Sequence, residues 1–396
     1  MAAAAPLAGS AQAKPAPAPS RTNQPASFQA IAAKATTARD AERLDEAVPL
    51  FRQALKLNPR WAEGWWSLGT IEYDQDRYAE AALYFQKVVA LEPKHGTARA
   101  LLGLCEFQLG QDANALRDIE ASKNLGLPED PRLRQVLVFH EGVLLQRAGR
   151  FEGAQEALGS LCQSGVTAEQ VRLALGMVVL RMRDANPPAP GTEGARVAEL
   201  LGRGACLSAQ KRYDAARREF ASAEAAFPHY PHLHYAYGRF LVDARDTAGA
   251  VEEFKKEIAE DPNSVLARLR IGAAEYKVDS AAGLPYAQEA VRLAPQLPFT
   301  HYMLGLLLLD TGDYAGAIPQ LETARKAFPQ NARIPLALGS AYAHVGRPED
   351  AARARAEFLR LSHAAGNAAA SAAPDQSSYT APQIEIKDGM DAPPRP

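Results

Sequence analysis

Three histidines crowd the stretch PHYPHLHY, residues 228–235, as His229, His232 and His234. An H-x-x-H-x-H spacing brings imidazoles near enough to share a zinc ion, which needs four ligands in a tetrahedral shell. The adjoining sequence supplies no cysteine or carboxylate to complete that shell. Pro228 and Pro231 also put two of the rings in a turn ahead of a helix. Solvated or packing histidines are therefore expected, and no metal. Cys105, Cys162 and Cys206 are odd in number, widely spaced and form no C-x-x-C, so they read as buried small apolar residues rather than a zinc ribbon or a disulfide framework. There is no G-x-S-x-G, no phosphate-cradling loop, no H-E-x-x-H and no G-x-G-x-x-G after a strand. The sequence therefore reads as non-enzymatic, with no catalytic residue and no cofactor.

Composition narrows the partners. The chain has 396 residues, 47% hydrophobic and 23% charged, with 44 basic against 46 acidic side chains and a formal net charge of −2. That balance gives no field to gather nucleic acid or an anionic membrane surface. The longest apolar runs, such as MLGLLLLD at 303–310, are far short of the roughly 20 residues of a spanning helix, so no transmembrane segment is expected. Ala11-Gln12-Ala13 resembles the A-x-A before a signal-peptide cleavage site, ahead of a Pro/Ala stretch, but a basic leader region is missing. Residues 1–27 thus read either as a disordered Ala/Pro leader on a cytoplasmic protein or as the remnant of a signal peptide on an exported, periplasmic one. Residues 363–396, rich in Ala, Ser, Pro and Asp, read as a disordered tail. Nothing in the sequence sets an oligomeric state.

Between the ends one pattern recurs. A small residue followed four positions later by an aromatic or aliphatic one occurs at Ala47/Phe51, Ala81/Phe85, Ala115/Ile119, Ala154/Leu158, Ala216/Phe220, Ala250/Phe254 and Ala317/Leu321. The step from Ala47 to Ala81 equals the step from Ala81 to Ala115. Prolines are spaced by that same step at Pro59 and Pro93, Pro228 and Pro262, and Pro295 and Pro329. About 12 positions before each small residue stands a glycine: Gly69, Gly103, Gly142, Gly204, Gly238 and Gly305, with Gly339 before Ala351. Three markers share one period, and each segment shows the i, i+3, i+4, i+7 apolar spacing of an amphipathic helix.

These residues resemble the tetratricopeptide repeats, a 34-residue pattern of W-x2-L-G, a tyrosine, A-x3-F and a closing proline. Trp65, Leu68, Gly69, Tyr78, Ala81, Phe85 and Pro93 stand where the pattern asks, and the resemblance runs from about 28 to 362 in eight or nine units. It implies an all-α fold, an α-solenoid of stacked helix hairpins forming a right-handed superhelix, with 16 to 20 helices and no sheet. Glycine and alanine are expected where the helices of a hairpin come closest, and the aromatic is expected to fill the space against the next hairpin. Proline ends the second helix. The departures are specific. The first-position Trp occurs once, Gly283 replaces a second-helix alanine, and Gly103 and Gly142 stand further apart than one period.

Ala154 and Ala216 are separated by well over one period but less than two, and the surplus contains an apolar helical stretch, 167–184, with no matching second helix. Pro187, Pro188, Pro190 and Gly191 follow it. Residues 166–193 are read as an irregular helix and Pro-rich junction between an N-terminal block, 28–165, and a C-terminal block, 194–362. An eroded repeat within one continuous array fits equally.

Some members of the family clamp a terminal carboxylate with Lys and Asn, but the matching positions here are Glu63, Trp66, Ser67 and Thr70, so no such clamp is expected. Positions that face the groove in the family hold Trp66, Tyr73, Phe107, Phe139, Tyr235, Tyr276 and Tyr302. Large rings with a polar handle suit a protein interface. The resemblance therefore implies a non-catalytic interaction scaffold that holds a protein or peptide segment. The alternative is an exported or envelope-associated assembly subunit on the same scaffold.

Overall fold

A computed structural model describes residues 26–126 and 130–370. The leader before residue 26 and the tail beyond 370 lie outside the described residues. The described residues form nineteen helices and no strand.

Among the described residues two compact units are present, one of the residues up to 148 with 156–161 and one of residues 149–155 with those from 162 on. The first holds α1 (Ala26–Asp40), α2 (Leu44–Leu57), α3 (Ala62–Asp74), α4 (Tyr78–Leu91), α5 (Gly96–Gln108), α6 (Asp112–Asn124) and α7 (Pro131–Arg147). Helix α8 (Phe151–Gln163) contributes residues to both. The second unit continues with α9 (Glu169–Val179), α10 (Glu193–Ala209), α11 (Tyr213–Ala226), α12 (Leu233–Asp243), α13 (Thr247–Glu260) and α14 (Val265–Glu275). It closes with α15 (Ser280–Leu293), α16 (Pro298–Asp310), α17 (Tyr314–Ala327), α18 (Arg333–His344) and α19 (Pro348–Ala370). Helix α19 carries helical backbone through Ala370, past the point where the sequence reading placed the tail.

Several hairpins close on the same kind of contact. A Cβ added to Gly69 would lie 2.7 Å from the Phe85 ring, and one on Gly238 would lie 2.6 Å from the Phe254 ring. The same clash would set Gly103 against Ile119, Gly204 against Phe220 and Gly305 against Leu321, at 2.8, 2.8 and 2.7 Å. The aromatic thus lies first on the glycine of its own hairpin rather than chiefly against the next one, as the sequence reading had it. Its ring also joins the core that runs on into the following hairpin, where Phe85 shares a cluster with Ala100 and Leu101. Ala81, Ala115, Ala216, Ala250, Ala317 and Ala351 are fully buried on the facing helices. Gly339 is looser, its nearest neighbour an Arg355 methylene at 3.4 Å. Pro93 and Pro262 follow the last turns of α4 and α13.

The backbone repeats a further mark that composition hides. Left-handed φ angles recur at the repeat period, at Glu42, Asp76 and Gly110, at Lys211 and Arg245, and at Gly312 and Gly346. Each of these residues sits in the turn between the two helices of a hairpin. Four of the seven are not glycine, although the conformation costs an L-residue about 1–2 kcal/mol.

The surplus stretch does have a helical partner. Helix α9 packs on α10 so closely that a Cβ on Gly176 would lie 1.8 Å from the Ala198 carbonyl oxygen, and one on Gly202 would lie 1.9 Å from that of Arg172. Helix α10 therefore serves two neighbours, α9 and α11. Helices α13, α15 and α17 start at Asp246, Asp279 and Asp313, each accepting a backbone N–H three residues on.

Candidate binding faces

In the first unit Trp66, Tyr73 and Phe107 are half-buried and pack on one core cluster built around Phe85, Leu102 and Ile119. Trp66 and Tyr73 lie two helical turns apart on α3 and therefore share a face. The Trp66 ring stacks on His95 at 4.9 Å between centroids and tilts on Phe85 at 5.6 Å. Phe107 meets the edge of His140 at 4.5 Å and lies under the Arg147 guanidinium at 4.8 Å. Half-buried Phe139 joins that group through His140. Ser67 is fully buried and accepts a hydrogen bond from Arg39 at 2.8 Å.

The first unit also buries acids. Glu72 pairs with Arg52 and Arg77, Asp118 with Arg99 and Arg117, and Glu141 with Lys123. Glu106 is 3% exposed and its Oε2 finds no partner. Burial, and then the adjacent Asp118 carboxylate, raise its pKa to about 7.

In the second unit the groove candidates are deeper. Tyr235 and Tyr302 are 2% and 4% exposed, so both rings are core, contrary to the expectation of an open groove face. Tyr235 tilts against Phe254 at 5.9 Å, and Tyr302 against Phe299 at 5.9 Å. Tyr276 is half-buried beside the Lys277 ammonium. The structure gathers Trp66, Tyr73 and Phe107 on one cluster, and places Tyr235 in a second core and Tyr276 with Tyr302 in a third.

The histidines gain the carboxylates that their own stretch lacks. His229, His232 and His234 meet Glu260, Glu257 and Glu253 of α13 at 2.8, 3.1 and 2.8 Å. His234 Nδ1 faces a carboxylate, and Nε2 lies 2.9 Å from the Pro228 carbonyl. Both neighbours accept, a setting that favours the ring donating from both nitrogens. Burial opposes that charge, but Glu253 outweighs it and raises the pKa above the usual histidine value. Among the described residues Glu224, His234 and Glu253 bring ligating atoms within 4.8 Å of one another. The Lys256 ammonium already donates to both of those glutamates, and both His234 nitrogens already face protein oxygens. The donor set is that of an ion-pair network.

Two side-chain groupings were not legible in the sequence. Cys162 and Cys206 form a disulfide, their Cα atoms 5.4 Å apart across a separation of 44 residues. This overturns the reading of all three cysteines as simple apolar residues. Cys105 alone fits it, a buried thiol that burial pushes up to about 12. Separately, Arg181 and Arg239 each donate to Glu152 Oε1 at 3.1 Å. Burial raises the Glu152 carboxyl, but Arg181 and Arg239 outweigh it and hold the group below its usual range.

Comparison with known proteins agrees with the architecture. Residues 32–94, 74–123, 302–374 and 207–271 match the tetratricopeptide repeat, together more than half of the chain. The chain belongs to the tetratricopeptide repeat family. The human tetratricopeptide repeat protein 34 is 27% identical over 202 residues, 50% of this chain and 33% of that protein. Protein FlbA of Caulobacter vibrioides is 30% identical over 123 residues, 31% of this chain and 20% of that protein. The general transcriptional corepressor trfA of Dictyostelium discoideum is 29% identical over 114 residues, 28% of this chain and 8% of that protein. The chain spans a third or less of each of these relatives. Among solved structures, MamA from Desulfovibrio magneticus RS-1 aligns with a TM-score of 0.38 and 22% identity, over 42% of this chain and 97% of that one. Yeast Tom70 aligns with a TM-score of 0.36 and 14% identity, over 85% of each chain. The matched repeats are interaction scaffolds, and none belongs to a catalytic family. No helix among the described residues is long and apolar enough to cross a membrane.

Proposed function

We propose that the chain is a non-catalytic scaffold that holds a segment of a partner protein against the ring face of its first unit. One observation carries the reading. Trp66, Tyr73 and Phe107 each pack on a single core cluster yet stay only half-buried. A ring held this way is already ordered, so a partner gains its area without the cost of fixing it. Trp66 is the central anchor. Truncating such an anchor typically costs about 2 kcal/mol or more of binding, roughly a thirtyfold loss. Truncating a core ring instead lowers stability by about 3–5 kcal/mol. For Trp66→Ala and Phe107→Ala the expected outcome is an unchanged melting temperature with loss of the same partner from affinity capture. A variant that melts early, or that stays folded and keeps every partner, removes Trp66 as the anchor.

A second reading, an exported or envelope-associated assembly subunit on the same scaffold, is favoured by the Cys162–Cys206 disulfide. Such bonds persist in oxidising compartments and are rare where thiols are kept reduced. Protein alkylated in denaturant at the moment of lysis should carry one blocked thiol, Cys105, before reduction and three after it. Three blocked thiols before reduction would remove this reading.

A further inference from the structure

The histidine-rich turn between α11 and α12 is gripped by one helix. Glu253, Glu257 and Glu260 share a face of α13, and they meet His234, His232 and His229 in turn. A histidine and a glutamate attract as an ion pair only while the ring carries its proton, and histidine is the side chain that ordinarily changes charge between about pH 5 and 8. The middle pair holds a strained residue. His232 has φ 62° and ψ 6°, a left-handed conformation, whereas the residue that opens a helix normally has extended backbone. The other described non-glycine residues with left-handed φ each follow the end of a helix, and His232 immediately precedes one. Such strain persists where the surroundings over-determine it.

Here the surroundings are a carboxylate that needs the histidine proton. Glu257 is buried, and among the described residues His232 is its one cationic partner. Its second oxygen accepts the Tyr235 backbone N–H at 3.1 Å, which serves the start of α12, a helix without a side-chain cap of its own. A neutral His232 would leave the Glu257 charge buried without a counter-ion, a costly arrangement. The next pair is balanced in the same way. Glu224 of α11 and Glu253 share the Lys256 ammonium, and His234 brings the second positive charge. Tyr237 of α12 borders the same two carboxylates and Arg217. Burial opposes the charge on His234, but Glu253 outweighs it and raises the pKa above the usual histidine value. From its other side the turn meets the Arg196 guanidinium over the Phe227 ring, and the Glu193 and Asp184 carboxylates near Tyr230.

We propose that residues 227–232 form a proton-operated latch, in which charged histidines hold the turn and the start of α12 against α13, and loss of their protons as pH rises lets the turn open. The left-handed His232 supplies the bias toward opening, since its conformation is held by the Glu257 pair and relaxes when that pair weakens. The latch does not depend on which partner the chain holds.

Hydrogen exchange of the full chain at about pH 5.5 and about pH 8.5, corrected for the intrinsic pH dependence of exchange, tests it. Protection of the amides in residues 229–236 should fall about tenfold or more at the higher pH, while amides of α16 and α17 change by less than about twofold. Glu257→Gln keeps an acceptor for the Tyr235 N–H and removes the buried charge, so it should cut that response to about threefold or less. His232→Asn adopts the left-handed conformation more readily and carries no titrating charge, and it should flatten the response to the same degree. His234→Gln should reduce it by a smaller factor. The proposal is overturned if residues 229–236 respond to pH no more than α16 and α17, or if their protection rises with pH. It is also overturned if folded Glu257→Gln and folded His232→Asn both keep the full response, because the turn would then open for a reason unconnected with these pairs.

Discussion

The two units follow one hairpin rule and bury opposite chemistry. In the first, half-buried rings occur with buried acids, with Glu106 beside Asp118 and a free thiol at Cys105. The helices that follow the hairpin turns there, α2, α4 and α6, start without a side-chain cap. In the second, Tyr235 and Tyr302 are core, three guanidiniums meet at Tyr235, histidines pair with glutamates, a disulfide ties Cys162 to Cys206, and aspartates cap α13, α15 and α17. The contrast shows how little the repeat constrains. It fixes glycine, alanine and ring within a hairpin, and leaves the neighbouring positions of the same helices free to carry any charge.

The largest difference should come from the disulfide. Closing a loop of 44 residues is worth about 2–4 kcal/mol. Cys162→Ala with Cys206→Ala should therefore lower the stability of the second unit by about that amount. Hydrogen exchange should show amides of α9 and α10 losing protection while those of α3 to α6 do not. Equal losses in both sets would mean that the units are not distinct in stability.

Glycine substitutions grade the packing next. Gly176→Ala drives a methyl into a backbone carbonyl and should cost about 3 kcal/mol, the upper end of typical overpacking. Gly69→Ala displaces the Phe85 ring and should cost nearer to about 1 kcal/mol. Gly339→Ala meets only ordinary contacts and should be neutral or slightly stabilising. Chemical denaturation that ranks the three otherwise would place the tightest contact elsewhere.

Stability should also respond to pH differently in the two units. Glu106 has a folded pKa of about 7 against an ordinary 4.5, so its contribution is complete below 4.5 and lost as pH rises through 7. Glu106→Gln should flatten that decline in the first unit. His234 is likewise raised above 6.5, and its contribution fades as pH rises through the raised value. Its partner Glu253 is lowered, because His234 and Lys256 outweigh its burial. The glutamate contribution is therefore present above 4.5 and lost as pH falls through the lowered value. The His234–Glu253 pair should thus be worth most between the two limits. Urea midpoints from pH 4 to 9 for Glu106→Gln and His234→Gln, subtracted from the parent chain, should give a falling curve and a peaked one.

The smallest expected effect is at a turn. Lys211 holds a left-handed φ of 61° on the surface, and Lys211→Gly should relieve that strain for a gain of up to about 1 kcal/mol. Gly312 already meets the same requirement in another turn. A melting temperature that falls on Lys211→Gly would show that its side chain supplies more than the backbone strain removes.

The hairpins were legible because each is local. Gly69 and Phe85 belong to one helix pair, and only a small residue fits where the two helices touch, so the constraint repeats along the chain as a period. The left-handed turns at Glu42, Asp76, Lys211 and Arg245 repeat equally well but escaped notice, because the conformation tolerates many residue types at an exposed site. Helix α10 as the partner of α9 was hidden because their contact is set by Gly176 and Gly202, outside the frame of the repeat. Side-chain pairing was decided by tertiary structure alone. Cys162 meets Cys206, His234 meets Glu253, and Arg239 meets Glu152 from a helix far along the chain. A charge or thiol on a helix surface has no periodic signature of its own; which partner it finds depends on how the hairpins stack, and that geometry is the sum of many contacts that no short stretch of sequence contains.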